Sequence, residues 1–383
     1  MPLSVVLAGG GTAGHIEPAL ALADALRRRD PATRITALGT EGGLEAQLVP
    51  ARGYDLELIP RVPVPRRPSG ELVSLPQRLS GAVRAAAEVL DRVAADVVVG
   101  FGGYVAAPAY LAARRRHVPV VVHESNAKAG LANRLGARFA AAVALATPQI
   151  KLRHGVHVGM PLRRAISQLD RAGEREAARV SFGLDPELPT LFVTGGSQGA
   201  RRINQAAVEA APALLDNGVQ VLHHTGRKNL DDVRAGLAAA LGVPVEQLDR
   251  HPRYVTVPYI ERMHLAYAAA DLVVCRGGAG TVAELTTVGL PAVYVPLPHG
   301  NGEQRLNALP VVRAGGGVVL EDGDLTGDLL RGIALPLLRD PGRLTRMSSV
   351  AAGFGRRDAD ELLADIVLRV AGVPDAPDAE AFL

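Results

Sequence analysis

Tryptophan is absent, and six phenylalanines and seven tyrosines supply every Phe, Tyr or Trp ring in 383 residues. Proteins that grip single-stranded nucleic acid stack its bases on such rings, so no nucleic acid is expected as a partner. Charge is nearly balanced, with 42 Lys and Arg against 39 Asp and Glu and a formal net of +3. Only local basic clusters, at Arg27 to Arg29, Arg66-Arg67 and Arg114 to Arg116, are left to explain. One cysteine, Cys275, cannot close an internal disulfide, as suits a reducing compartment. No apolar run reaches the roughly 18 residues of a membrane-spanning helix; the densest is Phe139 to Ala146. Met1 to Ala8 carries no basic stretch and runs straight into glycine. It reads as a buried strand rather than a signal peptide, and the chain as a soluble or peripheral protein.

Several chemical signatures are missing as well. No glycine-rich segment ends in Gly-Lys-Ser/Thr, which disfavours a P-loop NTPase. The ten histidines never take a zinc spacing; His223-His224 are adjacent in a strand-like run and so point to opposite faces. Asp322-Gly323-Asp324 and Asp358-Ala359-Asp360 have the form of metal-binding acid pairs, but the first reads as a turn and the second as an exposed helix face. No metal and no cofactor is expected.

What is present is a duplicated grammar. At about 150 residues per domain the length suits two units, and 48% hydrophobic with 21% charged residues supports packed cores. Val5 to Leu7 leads into Gly9-Gly10-Gly11-Thr12-Ala13-Gly14-His15 and then a helix-spaced run from Pro18 to Leu26. Leu191 to Thr194 leads likewise into Gly195-Gly196-Ser197-Gln198-Gly199 and a second helix pattern through Leu215. Later in each half an Asp, an apolar strand and glycines recur, at Asp96 to Gly103 and at Asp271 to Thr281. Short apolar strands alternating with Ala/Leu-rich helices predict α/β domains with parallel sheets, whose ligands bind at the carboxyl ends of the strands. The expected organisation is a first Rossmann-like domain over 1–160, a second over 165–352, and a flexible tail at 373–383. Residues 62–76, with four prolines, read as a long loop.

Gly9, Gly11 and Gly14 satisfy the GxGxxG dinucleotide pattern, with Glu41 after the second strand as a candidate ribose acid. Both strand-following loops are candidate phosphate cradles, since glycines let backbone N–H groups and a helix N-terminus face an anion; the alternative is that they only permit a tight turn. His15, with a proton affinity suited to neutral pH and a place at a helix start, is the best candidate base. Glu284, on a helix expected to begin near Ala279, suits a ribose diol or the helix dipole. Arg163 suits a diphosphate.

Taken together, the segments Gly10 to Ala21, His123-Glu124-Ser125-Asn126 with Gly130 to Asn133, Gly195 to Ala200 and Arg276 to Glu284 resemble the MurG family closely, in order and spacing, from residue 5 to about 360. The family comprises the undecaprenyl-diphospho-muramoylpentapeptide N-acetylglucosaminyltransferases of peptidoglycan synthesis. The resemblance implies a GT-B fold of two Rossmann-like domains facing a cleft, with the last helix, about 356–371, returning to the first domain. It implies inverting transfer from UDP-GlcNAc to the C4 hydroxyl of lipid-linked MurNAc-pentapeptide, lipid I, giving lipid II. It also implies a peripheral enzyme on the cytoplasmic face of an anionic membrane, with cell-wall and division proteins as candidate partners. Carried onto matching positions, it assigns Thr12, Ala13 and Gly14 to the first substrate loop, His15 to the acceptor, and Asn126, Arg163 and Ser197 to UDP-GlcNAc. Ile260 would meet uracil through its backbone; Ala279, Gly280, Thr281, Val282, Ala283 and Glu284 would hold diphosphate and ribose, and Gln304 the sugar hydroxyls. Ala13 stands where the family often has Gly, and Glu303 where it often has Gln, a residue that can donate as well as accept. Leu72, Val73, Leu75 and Leu79 among Arg66, Arg67, Arg78 and Arg84 form either a lipid-facing patch or an ordinary packed helix. A UDP-GlcNAc 2-epimerase or another GT-B glycosyltransferase is the alternative reading.

Overall fold

The computed structural model describes residues 2–62, 71–299 and 301–374. The chain divides into two compact units, Met1–Arg163 with Asp358–Leu383, and Arg164–Arg357.

The first unit runs β1 (Ser4–Gly9), α1 (Ala13–Arg29), β2 (Arg34–Gly39), α2 (Glu45–Ala51), β3 (Asp55–Leu58), α3 (Glu71–Val93), β4 (Val97–Gly102), α4 (Ala106–Arg116), β5 (Val120–Glu124), α5 (Leu131–Gly136), β6 (Ala142–Leu145) and β7 (Gly155–His157). The second runs α6 (Arg164–Ser167), α7 (Arg171–Ser181), β8 (Thr190–Thr194), α8 (Arg201–Asp216), β9 (Gln220–His224), α9 (Leu230–Leu241), β10 (Tyr254–Val257), α10 (Met263–Ala269), β11 (Leu272–Cys275), α11 (Ala279–Thr287), β12 (Ala292–Tyr294), α12 (Glu303–Arg313), β13 (Gly317–Val319), α13 (Gly327–Leu338) and α14 (Pro341–Ala352). The last helix, α15 (Ala359–Val370), belongs to the first unit and packs on α1.

Every strand pairing is parallel, in the orders β3-β2-β1-β4-β5-β6-β7 and β10-β9-β8-β11-β12-β13. Strands buried on both faces need apolar residues at every position, which is why their runs do not alternate. Val5 and Leu7 feed one apolar cluster, and Val6 and Ala8 the cluster on the sheet's other face; full burial of each such Val or Leu contributes about 1.5–3 kcal/mol. Strand order reverses between β1 and β4 and again between β8 and β11. The four glycine segments sit at the carboxyl ends of those four strands, the switch points where such sheets bind ligands.

The duplicated Asp has a shared structural reason. Asp96 accepts the Ser4 N–H at 2.7 Å, and Asp271 accepts the Thr190 N–H at 2.8 Å. In each case the acid's own N–H bonds the carbonyl of that same residue. Each acid thus locks the start of one central strand to the next. In the second unit the lock is charged: Asp271 also receives Arg175 and, at 2.7 Å, Arg179, whose side chain is 3% exposed.

Two expectations need correction. Helix α3 already starts at Glu71 and carries Pro76 inside it, so a loop over 62–76 is too long. Proline's fixed φ suits a helix, and the leucine spacing outweighs the one hydrogen bond lost; residues 63–70 lie outside the described part. Asp360 is not on an exposed face either. It is 5% exposed and pairs with Arg28 at 2.5 Å, while Arg29 pairs with Glu361 at 3.0 Å and with Asp365. The basic end of α1 therefore has its partners in α15.

Removing Asp271 leaves the buried Arg179 without its counter-charge, a defect worth about 3–5 kcal/mol. Asp96 engages no arginine among the described residues, and its loss forfeits a hydrogen bond worth about 1–2 kcal/mol. Urea unfolding of Asp271→Ala should therefore show a markedly larger loss of midpoint than Asp96→Ala; equal losses would refute the charged lock.

Candidate functional site

The first site is assembled at the end of β1. Gly11 takes a φ of +88°, open to glycine at little cost, and this turns the chain into α1. His15 is the third residue of that helix. Its Nδ1 lies 3.2 Å from the Gly10 carbonyl and 3.2 Å from Thr12 Oγ1. A carbonyl can only accept, so Nδ1 carries the proton and Nε2 presents its lone pair. Burial pulls the His15 pKa below its ordinary value, opposed by the Gly10 carbonyl and by the Glu124 carboxylate. A neutral ring with one bare nitrogen is the state a general base needs.

Glycines make room around that ring. A Cβ on Gly102 would stand 3.3 Å from His15 Nε2 and 3.6 Å from Asn133 Nδ2, and one on Gly103 would stand 2.1 Å from the Gly10 oxygen. Beyond them Glu124, 2% exposed, takes the Asn126 N–H, the Gly130 N–H and Asn133 Nδ2 at 2.9, 2.9 and 3.0 Å. Tyr110 donates to Asn133 at 2.7 Å, its hydroxyl pKa raised by burial and by Glu124. Asn126 is thus held by its backbone on a loop next to the His15 end of the sheet. Thr12 and Gly14 are exposed and Ala13 half-buried at the mouth of the same turn. Arg163 lies 3.6 Å from Glu17, which also pairs with Arg52.

The Gly11 N–H already donates to the Glu45 carboxylate at 3.1 Å. A fixed anion there opposes a second one, so the first loop is no open phosphate cradle and the dinucleotide fingerprint fails. Glu41 is exposed; the acid serving the loop is Glu45, four residues on and 1% exposed. No local pattern marks Glu45 in the sequence.

The second unit holds the other candidates. Ser197 is exposed on the loop after β8, where Gly196 and Gly199 take φ of +81° and +73°. A Cβ on Gly199 would stand 2.1 Å from the Thr225 oxygen, so this loop is pressed onto the end of β9. Helix α11 begins at Ala279 behind a glycine N-cap, which leaves the N–H groups of Ala279, Gly280 and Thr281 without intrahelical partners. Nothing stands within 4 Å of a Cβ on Gly280. Val282 is buried and Ala283 half-buried behind this turn. One turn on, Glu284 receives the hydroxyl of the buried Tyr267 at 2.6 Å. No spacing in the sequence singles out Tyr267 as that partner. Ile260 is buried just past β10, and Gln304 at the start of α12 accepts the Leu297 N–H at 2.9 Å. Glu303 accepts the Asn301 N–H at 3.0 Å, a helix-start role suited to a carboxylate.

These groups can hold an anion on half-buried helix-start N–H groups, a diol on a tyrosine-pinned carboxylate, and a proton on a histidine. Comparison with known proteins shows the family. The models of the glycosyltransferase family 28 N-terminal and C-terminal domains match residues 5–145 and 190–363. The UDP-N-acetylglucosamine–N-acetylmuramyl-(pentapeptide) pyrophosphoryl-undecaprenol N-acetylglucosamine transferase of Streptomyces avermitilis is 60% identical over 95% of this chain and 98% of its own. The crystal structure of Acinetobacter baumannii MurG superposes with a TM-score of 0.73 at 28% identity, covering 96% of this chain and 100% of that one. The UDP-GlcNAc 2-epimerase of Neisseria meningitidis shares the fold alone, with a TM-score of 0.66 at 14% identity over 96% of this chain and 100% of that one.

Three buried histidines frame these loops. His123 bonds the Gly159 carbonyl at 2.9 Å, His223 bonds Tyr254 and Asn204, and His224 bonds Thr194, whose hydroxyl also takes the Gly196 N–H. Burial pushes their pKa values down to about 4, 3 and 4. Unfolded, each titrates near 6.5, so below that pH the unfolded chain binds more protons and stability falls. Between pH 6.5 and 5, where exposed carboxylates stay ionised, each histidine should contribute a loss approaching about 1.4 kcal/mol per pH unit. Urea midpoints across that window check it; a flat profile would contradict neutral burial.

Proposed function

Since the chain belongs to glycosyltransferase family 28 and within it to the MurG transferases, we propose that it moves N-acetylglucosamine from UDP-GlcNAc to the C4 hydroxyl of lipid-linked MurNAc-pentapeptide, with His15 as the base. The observation that carries this reading is the His15 Nδ1 held 3.2 Å from the Gly10 carbonyl, a contact that favours the tautomer whose Nε2 lone pair can accept a proton.

The muramyl O4 gives its proton to His15 Nε2 as it attacks C1 of GlcNAc. The C1–O bond to the diphosphate breaks, its electron pair leaves on UDP, and the anomeric centre inverts in one displacement. Negative charge developing on UDP is met by the helix start at Ala279 to Thr281, the Ser197 loop and Arg163. Glu284, oriented by Tyr267, accepts the ribose hydroxyls; the Ile260 backbone meets uracil, and Gln304 and Asn126 contact the sugar. Thr12, Ala13 and Gly14 shape the acceptor's approach.

A polyprenyl-linked acceptor stays in its bilayer, so the enzyme works as a peripheral protein at the cytoplasmic face. No helix among the described residues is long and apolar enough to cross a membrane. Of the segment read as lipid-facing, Leu79 packs into the core of the first unit, Leu75 is half-exposed, and Arg84 is exposed. Arg66 and Arg67 and the side chains of Leu72 and Val73 lie outside the described part. The start of α3, with Leu75, is the contact with anionic lipid.

UDP release from UDP-GlcNAc should require a lipid I analogue. Interconversion of UDP-GlcNAc without acceptor would instead identify an epimerase. His15→Ala should lower kcat by about 10²–10⁴-fold, the usual contribution of a base; a loss below about tenfold removes His15 from that role. Glu284→Gln should raise KM for UDP-GlcNAc. Flotation with anionic vesicles should weaken for Leu75→Glu with circular dichroism unchanged, and undiminished flotation would take α3 out of membrane contact.

A further inference from the structure

One peptide group in the first site has a charged or titratable partner at each end. The Gly11 N–H donates to Glu45 Oε2 at 3.1 Å, while the Gly10 carbonyl of the same peptide lies 3.2 Å from His15 Nδ1. We propose that Glu45 is a positioning residue that acts on His15 through the Gly10–Gly11 peptide, fixing the ring's tautomer and supporting the proton it takes up. This rests on the reading of His15 as the base.

The amide is a conjugated unit. A negative charge at its N–H end therefore enriches the carbonyl oxygen at the other, and hydrogen bonds in such a chain reinforce one another. The result is a carboxylate and an imidazole coupled through an interposed peptide, more weakly than in a direct pair. Once Nε2 accepts a proton the ring becomes a cation, and the enriched Gly10 oxygen holds it on the far side.

Glu45 is built for a fixed charge. It is 1% exposed, and its Oε1 takes the Thr40 N–H at 2.9 Å and the Thr40 hydroxyl at 3.1 Å. Burial pushes its pKa up, but the hydrogen bonds from its own N–H, from Gly11 and from Thr40 outweigh this and leave it below the usual carboxylate range. Glycines clear its space: a Cβ on Gly43 would stand 2.4 Å from the carboxyl group, one on Gly39 2.5 Å from its Cγ, and one on Gly10 3.0 Å from Oε1. The peptide is held from the other side too, because Gly103 alone lets the Gly10 oxygen keep its place. Other ionisable groups surround the ring. Glu124 at the end of β5 acts on His15 directly, Tyr104 borders Gly11, and Glu17 on α1 is engaged by Arg52 and Arg163.

The test compares wild type, Glu45→Gln, Glu45→Asp, His15→Ala and His15→Ala/Glu45→Gln, each first shown to unfold at a temperature near wild type. With UDP-GlcNAc and a lipid I analogue, Glu45→Gln should lower kcat by about 10- to 100-fold, part of the full contribution of the base. KM for UDP-GlcNAc should stay within about twofold, and the acid limb of the kcat profile should move to lower pH, as for a weaker base. Glu45→Asp, which keeps the charge, should leave that limb near wild type. On the His15→Ala background the second change should cost less than about threefold, because a residue that acts through His15 has nothing left to act on. Nitrogen-15 shifts of labelled histidine should give the Nδ1–H tautomer at His15 in wild type and a mixture in Glu45→Gln, which needs no turnover. An unmoved acid limb with a fully additive double variant would overturn the coupling while leaving His15 as base. A loss below about tenfold for His15→Ala would sink the base reading itself, and the coupling with it.

Discussion

Parallel strands buried on both faces cannot stop without giving their last backbone groups partners, and the functional groups of this chain follow from how that constraint is met at β1, β4, β8 and β11. At their starts the constraint is met by an acid: Asp96 and Asp271 each close a two-bond ring with the first residue of the neighbouring central strand. At their ends glycine backbone is turned outward and handed to a helix N-terminus. The first fixes the register of the central pair, so that the second delivers both glycine turns to one edge of the sheet. Strand order reverses there, and a crevice opens where no crossover helix covers the sheet.

Several arginines are paired with acids, rings or carbonyls of their own unit. Arg28 and Arg29 bind α15 to α1, while the Arg27 guanidinium lies 4.5 Å from the centre of the Tyr54 ring. Arg116 pairs with Asp91 at 2.7 Å, and Arg114 lies over Phe139. Half-buried Arg171 donates to three backbone carbonyls, its pKa pulled down to about 10 by desolvation, and Arg276 pairs with Asp322 at 2.5 Å. Arg27 to Arg29 and two of Arg114 to Arg116, though mostly exposed, are thus tied to neighbouring elements of the first unit. A diphosphate-binding role is better sought at the bare helix start of Ala279 than in an arginine count.

The fold was legible because its signals are local. An apolar run followed by glycine and a helix-spaced run, repeated after 185 positions between Gly10 and Gly195, needs only neighbouring residues to be read. His15, Glu284 and the helix start at Ala279 were legible for the same reason, each lying within a turn of a glycine. What escaped notice is long-range. Glu45 reaches Gly11 across 34 positions and Tyr267 reaches Glu284 across 17, and neither pairing leaves a spacing signature. Asp360 was misplaced on an exposed face because its partner Arg28 lies 332 positions away. The expected loop over 62–76 differs for another reason: the leucine period carries the helix through Pro76.

In the proposed role of base, His15 sits under opposed demands. Burial keeps the ring neutral, as a base must be before reaction, yet the same burial penalises the cation it becomes. A carboxylate bonded directly to Nδ1 would relieve the cation but would also favour it beforehand, leaving part of the enzyme already protonated. Glu124 and Glu45 both stand off from the ring, one acting across space and the other joined to it by a peptide group. Each weakens with the intervening distance, so neither forces protonation of the resting ring, and together they oppose the penalty when a proton arrives. Glycine at Gly10, Gly39, Gly43 and Gly103 is the structural condition for that arrangement, since a side chain at any of the four would crowd either the carboxylate or the carbonyl oxygen it acts through.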